Sequence, residues 1–403
     1  MLNNLFFTIH VSKMKSLTHF IIPLAILATM ASCRKDLPQL NDPQNYVSAN
    51  FNEVFDAFWT GMNNNYVFWD IDTVNWDQIY KTYKPLFAQL NVNDSNDVRK
   101  AYTYFKQMTA GLVDSHYTLT FADTWLADSA AVNPAFLRKL GSPGFHPPID
   151  IRHFYYTLPA NYLDAGQRGF TNTSDSSQYV AVSGTINQNI LYFFFSDFQL
   201  KTLFNTDTAN GFKTVEQYFF DNLATRTDLK GIIIDVRGNR GGALEDLDFL
   251  LGKMITRPQF FGYTRSKMGN GRLDYSPWAL AYVKPQAGSK AITIPIVVLA
   301  DAWSVSMAEI TTMAVKTFPN GHFVGERTWG ANGPLTGNVF YNGGQFTTGW
   351  LTQVYTSSLM FKYKDGNIYE GKGFPPDLAV PYDLASLNAG RDPQLEAAVS
   401  LIH

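Results

Sequence analysis

Two apolar runs, each followed by a loop and then a helical pattern, constrain this chain more than any other feature. Ile232-Ile233-Ile234-Asp235-Val236 leads into Arg237-Gly238-Asn239-Arg240-Gly241-Gly242, with a helix starting near Ala243. Ile294-Pro295-Ile296-Val297-Val298-Leu299-Ala300 leads into Asp301-Ala302-Trp303-Ser304-Val305, and a helix runs from Ser306 toward Lys316. Both apolar runs read as buried strands. Strands alternating with helices predict an α/β core with parallel pairing. Ligands in such sheets bind beyond the carboxyl ends of the strands, where both loops sit.

Residues 51–112 read as helical. Phe51, Val54, Phe55, Phe58 and Met62 share one face. Trp76, Ile79, Tyr80, Tyr83, Phe87 and Leu90 share a second, with Pro85 expected to kink it. Val98, Tyr102, Phe105, Met108 and Leu112 share a third. Aromatic stripes at this spacing are expected to be core. Gly141-Ser142-Pro143-Gly144 and Pro147-Pro148 end the helical character, and Ile190 to Phe195 is a further strand.

Composition narrows the function. With 45% apolar and 15% aromatic residues among 403, the chain can bury a large core and is not wholly disordered. A formal net charge of −2 gives no electrostatic case for nucleic acid. One cysteine excludes a disulfide scaffold and a multi-cysteine metal site. That cysteine is placed informatively. Lys13 and Lys15 precede the apolar stretch from Phe20 to Ala28, which is too short for a permanent span, and Thr29-Met30-Ala31-Ser32-Cys33 follows. Small residues directly before a lone cysteine resemble a bacterial lipoprotein cleavage box, with Cys33 as the lipidated N-terminus. The expectation is a cell-envelope lipoprotein, at the outer membrane and facing the periplasm or the exterior, with residues 34–50 as a tether.

Several residues carry chemistry. Ser304 and Ser306 stand where a strand turns into a helix. A serine there ordinarily caps the helix, yet the same turn exposes a hydroxyl beside free amides that stabilise an oxyanion. The glycine-rich loop after Arg237 either makes a tight turn or aims an amide at a ligand. It lacks the phosphate-loop lysine. Among the histidines, His116 stands out in Leu112-Val113-Asp114-Ser115-His116-Tyr117, where a hydroxyl and a carboxylate flank an imidazole.

Together these segments resemble the C-terminal-processing, or tail-specific, serine peptidase family. Gly231 to Gly242 is similar to the family's apolar strand followed by Asp-x-Arg-x-Asn-x-Gly-Gly. Ser304-Val305-Ser306-Met307-Ala308-Glu309-Ile310 is similar to Ser-Ala-Ser-Ala-x-Glu-Ile. Val324-Gly325-Glu326-Arg327-Thr328-Trp329-Gly330 and Gly371-Lys372-Gly373-Phe374-Pro375-Pro376-Asp377 match two later motifs, in the same order. The resemblance implies Ser306 as nucleophile. Ala331 stands where the bacterial processing branch has its lysine base, so a Ser–Lys mechanism at that spacing is contradicted, and Lys316 reads as a surface charge. Ser115-His116 instead matches the tricorn-like branch. That resemblance implies His116 as general base, with Ser115 and Glu370 orienting or polarising it. It implies an oxyanion hole from the amide of Met307 and that of Gly241 or Gly242.

The implied fold is α/β: an N-terminal helical subdomain, then a mixed-sheet core of the ClpP/crotonase-like kind. Residues 1–33 form the signal and lipobox cysteine and 51–116 the helical subdomain. Residues 117–189 form a β-rich connection without a clear PDZ domain, and 190–403 the peptidase core. The implied activity is acyl-enzyme hydrolysis of peptides or unfolded protein segments, with no metal or organic cofactor and no nucleic acid partner. The rival readings are a non-catalytic peptide- or lipid-binding protein on the same fold and a small-molecule esterase or amidase.

Overall fold

The computed structural model describes residues 50–172, 178–206 and 210–402. The signal segment, Cys33 and all of the tether before residue 50 lie outside the described residues. No helix among those described is long and apolar enough to cross a membrane.

Each early helix starts on a polar cap. Asn50 opens α1 (Phe51–Asn65): its side chain accepts the Glu53 amide proton at 3.0 Å and donates to the Glu53 carboxylate at 2.9 Å. Asn75 caps α2 (Trp76–Phe87), and Asp94 caps α3 (Ser95–Thr109). Pro85 falls in the last turn of α2, so the helix ends two residues later. The stripes bury as expected for Phe51, Phe55, Phe58, Val98 and Phe105, while Ile79, Tyr80 and Tyr83 pack at the margin of the same core. This core is not built from local sequence alone. Strand β1 (Thr118–Phe121) pairs antiparallel with β11 (Leu351–Tyr355), which also pairs with β10 (Gln345–Phe346). Phe346, Leu351 and Val354 thereby complete the helical core from far along the chain.

The main sheet has seven strands in the order β13-β9-β8-β5-β4-β3-β2. In chain order they are β2 (Ala165–Asn172), β3 (Gln178–Ile186), β4 (Ile190–Phe195), β5 (Gly231–Asp235), β8 (Ile296–Ala300), β9 (Gly321–Gly325) and β13 (Leu378–Ala379). From β4 to β13 the neighbours are parallel; β2, β3 and β4 pair antiparallel. The sheet therefore begins before residue 190, the boundary expected from sequence. The β-rich connection expected over 117–189 holds β1, β2 and β3 and also includes α4 (Pro134–Leu140) and a helical stretch across His153–Tyr162. A separate antiparallel sheet joins β6 (Gln259–Ser266), β7 (Ala279–Val283) and β12 (Leu359–Tyr363).

The apolar runs are explained by burial on both faces. Successive strand residues point to opposite sides. Ile232, Ile234, Ile296 and Val298 face the core that includes Phe212, Val215 and Phe219 of α5 (Gly211–Thr225) and Ile310 and Met313 of α6 (Met307–Val315). Ile233, Val297 and Leu299 face Phe154 and Leu395, the latter on α7 (Pro393–Ile402).

Arg237 locks the end of β5 to α7. Wholly buried, it donates to Asp235 at 2.9 and 2.6 Å and to Asp392 at 2.8 Å twice. Burial alone would raise the Asp392 pKa, but the Arg237 charge and the His153 contact hold it well below the carboxylate range. Arg237→Ala leaves two buried carboxylates without their cation. It is expected to cost about 3–5 kcal/mol of stability, measured as a lowered urea midpoint; an unchanged midpoint would contradict this role.

Candidate active site

Strand β8 delivers its loop to the amino end of α6, and the two serines there differ sharply. Ser304 is wholly buried. Its hydroxyl accepts the Asp301 amide proton at 2.9 Å and donates to the Val236 carbonyl at 2.7 Å, so it is spent on holding the turn. Ser306 is partly exposed and sits at φ 57°, ψ −115°, a backbone conformation L-residues seldom adopt. Such a turn projects a side chain away from the strand end.

Glu309, one turn on, explains how the turn is held. Its buried carboxylate accepts the Ser306 amide at 3.3 Å, the Thr328 hydroxyl at 2.6 Å, and the amides of Gly330 and Ala331 at 2.7 and 2.6 Å. Burial raises its pKa, and these donors oppose the rise. Trp329 adds a backbone bond to the Ser304 carbonyl at 3.0 Å. The 328–333 loop is thus pinned to the serine turn. Ala331 is wholly buried there and its amide is used, so the position offers no amine. Lys316 pairs with Asp377 instead.

The far end of that loop reaches the histidine segment. Glu370, also buried, accepts the amides of Asn332 and Gly333 at 2.9 and 2.8 Å and that of Ser115 at 2.8 Å. Ser115 takes part through its backbone. Asp114 accepts the His116 amide at 2.9 Å and the Ser357 amide and hydroxyl at 2.8 and 3.0 Å. Ring nitrogen of His116 and carboxylate oxygens of Asp114 and Glu370 lie within 4.8 Å of one another. The His116 Nδ1 is buried with no hydrogen-bond partner. Burial lowers the His116 pKa to about 4, with the Gly333 carbonyl opposing, so the imidazole is neutral at pH 7. Burial and then the Asp114 charge push the Glu370 pKa well above the carboxylate range. The same three side chains are the group, among the described residues, whose spacing would admit a metal ion. Their carboxylates are already engaged by amide and hydroxyl donors.

The glycine loop lies against the serine turn. Gly241 has φ 95°, and a Cβ there would meet Ser306 Cβ at 2.7 Å and the Met307 nitrogen at 2.9 Å. Only glycine permits this approach. The Gly241 amide is spent on the Asn239 side chain at 2.8 Å. Phe198 bonds to Gly241 O and to the Ala243 amide, so the intervening Gly242 amide faces away from Phe198. Met307 is the first residue of α6, and its amide is one of the orphans of a helix start.

Aromatic side chains cover one flank. Trp303 and Trp329 have ring centres 5.3 Å apart. Phe136 of α4 stacks on Trp329, Phe145 packs on Trp303, and the Trp303 indole donates to the His146 carbonyl at 2.8 Å. The sequence marks Asp114 as a carboxylate beside His116, and Glu309 and Thr328–Gly330 as motif residues, but not the hydrogen bonds by which they hold the two segments. A clue was present in Glu309, which recurs in the matched motif and has no reason to be apolar-buried unless paired.

Residues 190–380 match the model of peptidase family S41, and residues 48–95 that of the tricorn protease C1 domain. Tricorn protease homolog 1 of Streptomyces coelicolor is 30% identical over 172 residues, 43% of this chain and 14% of its own length. The nisin-resistance protein of Lactococcus lactis is 24% identical over 209 residues, 50% of this chain and 60% of its own. The chain therefore spans less than two thirds of either relative. A crystal structure of a putative peptidase from Parabacteroides merdae has a TM-score of 0.63 at 22% identity, over 88% of this chain and 97% of that one. That likeness is one of fold.

Proposed function

We propose, on the match of residues 190–380 to peptidase family S41, that this chain is a serine peptidase acting on peptides or unfolded protein segments. Ser306 is the nucleophile and His116 its general base. The observation that carries this reading is the 328–333 loop. One end is held by Glu309 under Ser306, the other by Glu370 under Ser115 and His116. Two segments remote in sequence are thereby fixed to one support, as a nucleophile and base require.

The chemistry follows from the protonation states. Neutral His116 takes the Ser306 proton as Oγ attacks the carbonyl carbon. The tetrahedral oxyanion is met by the amides of Met307 and Gly242, since the Gly241 amide is already used. His116 then gives the proton to the leaving amine, and water repeats the sequence on the acyl-enzyme. Asp114 and Glu370 act as positioning residues, holding the successive backbone amides of His116 and Ser115. Cys33, lipidated, would hold this domain at the cell envelope.

The direct test is incubation of the full chain with a diverse peptide library, with products read by mass spectrometry. Cleavage at defined bonds supports the reading; intact peptides throughout, with esters hydrolysed, would favour the esterase alternative. The pH profile is a second check. Activity needs the free imidazole, so kcat/KM is expected to hold as pH falls from neutrality and to drop only near pH 4. An acid limb near the ordinary histidine value would contradict the burial argument. Stability moves in the same direction: the unfolded chain takes up this proton first, so the contribution is full above the ordinary histidine value and is lost as pH falls through about 4.

A further inference from the structure

The segment that follows α4 crosses the tryptophan flank of the serine turn. Phe145 packs on Trp303 and Trp329, with ring centres 5.1 and 6.1 Å away. The His146 carbonyl accepts the Trp303 indole proton at 2.8 Å. The His146 ring lies flat on Tyr382, with 3.9 Å between centres and 2° between planes. Gly144 enters this stretch at φ 80°, and a Cβ there would meet nothing within 4 Å, so it can turn freely. Pro147 and Pro148 leave it on a stiff backbone. Phe145–Pro147 is thus a strap with a glycine hinge at its entry and a rigid exit.

Both ring nitrogens of His146 face oxygen acceptors. Nε2 lies 2.9 Å from the Glu326 carboxylate, and Nδ1 lies 2.7 Å from the Pro147 carbonyl. An ionised carboxylate and a carbonyl only accept. A neutral imidazole has one N–H and serves one of them, which sets lone pair against lone pair at the other. The imidazolium serves both. The surrounding charges have the matching sign. Glu326 reaches the ring from the loop after β9, Asp301 acts on it from the loop after β8, and Tyr382 stacks on it. Burial opposes the charged ring, but Glu326, the Pro147 carbonyl and Asp301 outweigh burial and hold the His146 pKa above the ordinary histidine value.

The strap bears on both backbone supports of the nucleophile. Trp303 directly precedes Ser304, and the Trp329 amide bonds the Ser304 carbonyl at 3.0 Å. Glu326 is itself fixed: its amide bonds the Ala300 carbonyl at 3.0 Å, and its second carboxylate oxygen accepts the Tyr382 amide at 3.2 Å. We propose that His146 is a proton-dependent positioning residue. As an imidazolium it clamps the strap over Trp303 and Trp329. On losing its proton it releases Glu326 or the Pro147 carbonyl, and the strap lifts. The consequence for catalysis rests on the peptidase reading: with the strap lifted, the serine turn loses its cover on that flank and kcat falls. The folded pKa lies above the unfolded one. The clamp's contribution is therefore full below the ordinary histidine value and is lost as pH rises through the raised one.

The first readout is independent of turnover. The full chain carries ¹⁵N-labelled histidine, and His146 is assigned by its absence in His146→Phe, which keeps a ring for Tyr382 but has no donor. At about pH 6.5, the ordinary histidine value, most of His146 is expected to carry protons on both nitrogens. Glu326→Gln should lower its midpoint by about one unit, a tenfold loss of proton affinity. A singly protonated ring at that pH, or a midpoint unmoved by Glu326→Gln, overturns the proposal. Hydrogen exchange of peptides spanning residues 141–149 reads the strap itself. Protection, corrected for the intrinsic rate, should fall about tenfold as His146 loses its proton. His146→Phe should be poorly protected throughout and show no such fall. Protection in the unsubstituted chain that ignores the proton overturns the release. Finally, kcat/KM for a cleaved peptide should drop about tenfold over the same pH range, and His146→Phe should be slow throughout without that limb. An alkaline limb that survives in His146→Phe overturns the link to catalysis. Ring and exchange transitions in a chain that cleaves nothing keep the clamp and count against the peptidase reading alone.

Discussion

Ser306→Ala is expected to lower kcat/KM on the order of 10⁴- to 10⁶-fold, with no loss of thermal stability. The side chain is partly exposed, while Ser304 and Glu309 hold the turn. Removing the Ser306 hydroxyl takes away the attacking atom and little else. His116→Ala should reach a similar floor, because a serine hydroxyl is a poor nucleophile without a base. The double variant is expected to be no worse than either single one, since the two groups act as a unit. Multiplied losses in the double variant would mean that they act in separate steps. Rates unaffected by either substitution would remove this site from the chemistry.

The second large effect is expected at Glu370. Its carboxylate accepts three buried amides, from Ser115, Asn332 and Gly333. Glu370→Ala leaves those donors without acceptors, each costing about 1–3 kcal/mol if no water replaces the carboxylate. The segment bearing His116 then loses one of its anchors, the bonds of Asp114 to Ser357 being another. A shift of about 1 Å at a base costs on the order of 100-fold in rate. The loss should fall on kcat rather than KM, because Glu370 supports the catalytic backbone. Glu370→Gln should be intermediate. Its oxygen can serve two amides, while its amide group faces the third donor. The native side chain is also biased toward its neutral form by burial, so loss of charge alone is tolerable. A Gln variant as damaged as the Ala variant would show that the charge itself matters. Both variants losing only stability, with kcat unchanged in the folded fraction, would reduce Glu370 to a structural acceptor.

Different parts of this arrangement were legible in the sequence for different physical reasons. β5 and β8 could be read because burial on both faces demands an unbroken apolar run, and Ile232–Ile234 and Ile296–Ala300 show one. β2 could not. It is mostly exposed, and only Phe170 and a few neighbours hint at a strand. The closing of the helical core by Phe346, Leu351 and Val354 depends on pairing such as Thr118 with Tyr355, which no local pattern announces. At the site, a serine before a helix could be read as a cap or a nucleophile. The difference between Ser304 and Ser306 lies in burial and hydrogen bonding, which spacing does not encode. The two glycines were likewise equivalent on paper. Their amides are separated by the bond from Gly241 to Asn239 and by the pairing of Phe198 across Gly242. Ala331 is the informative departure: a methyl group where a lysine base would stand leaves His116, far earlier in the chain, as the candidate base.

Covalent labelling identifies the nucleophile itself. The full chain is treated with a fluorophosphonate probe, digested, and the adduct located by tandem mass spectrometry. Modification is expected at Ser306, abolished by Ser306→Ala and strongly slowed by His116→Ala. Peptide cleavage that persists with Ser306 unlabelled, or an adduct on another residue that accounts for the activity, would contradict this assignment.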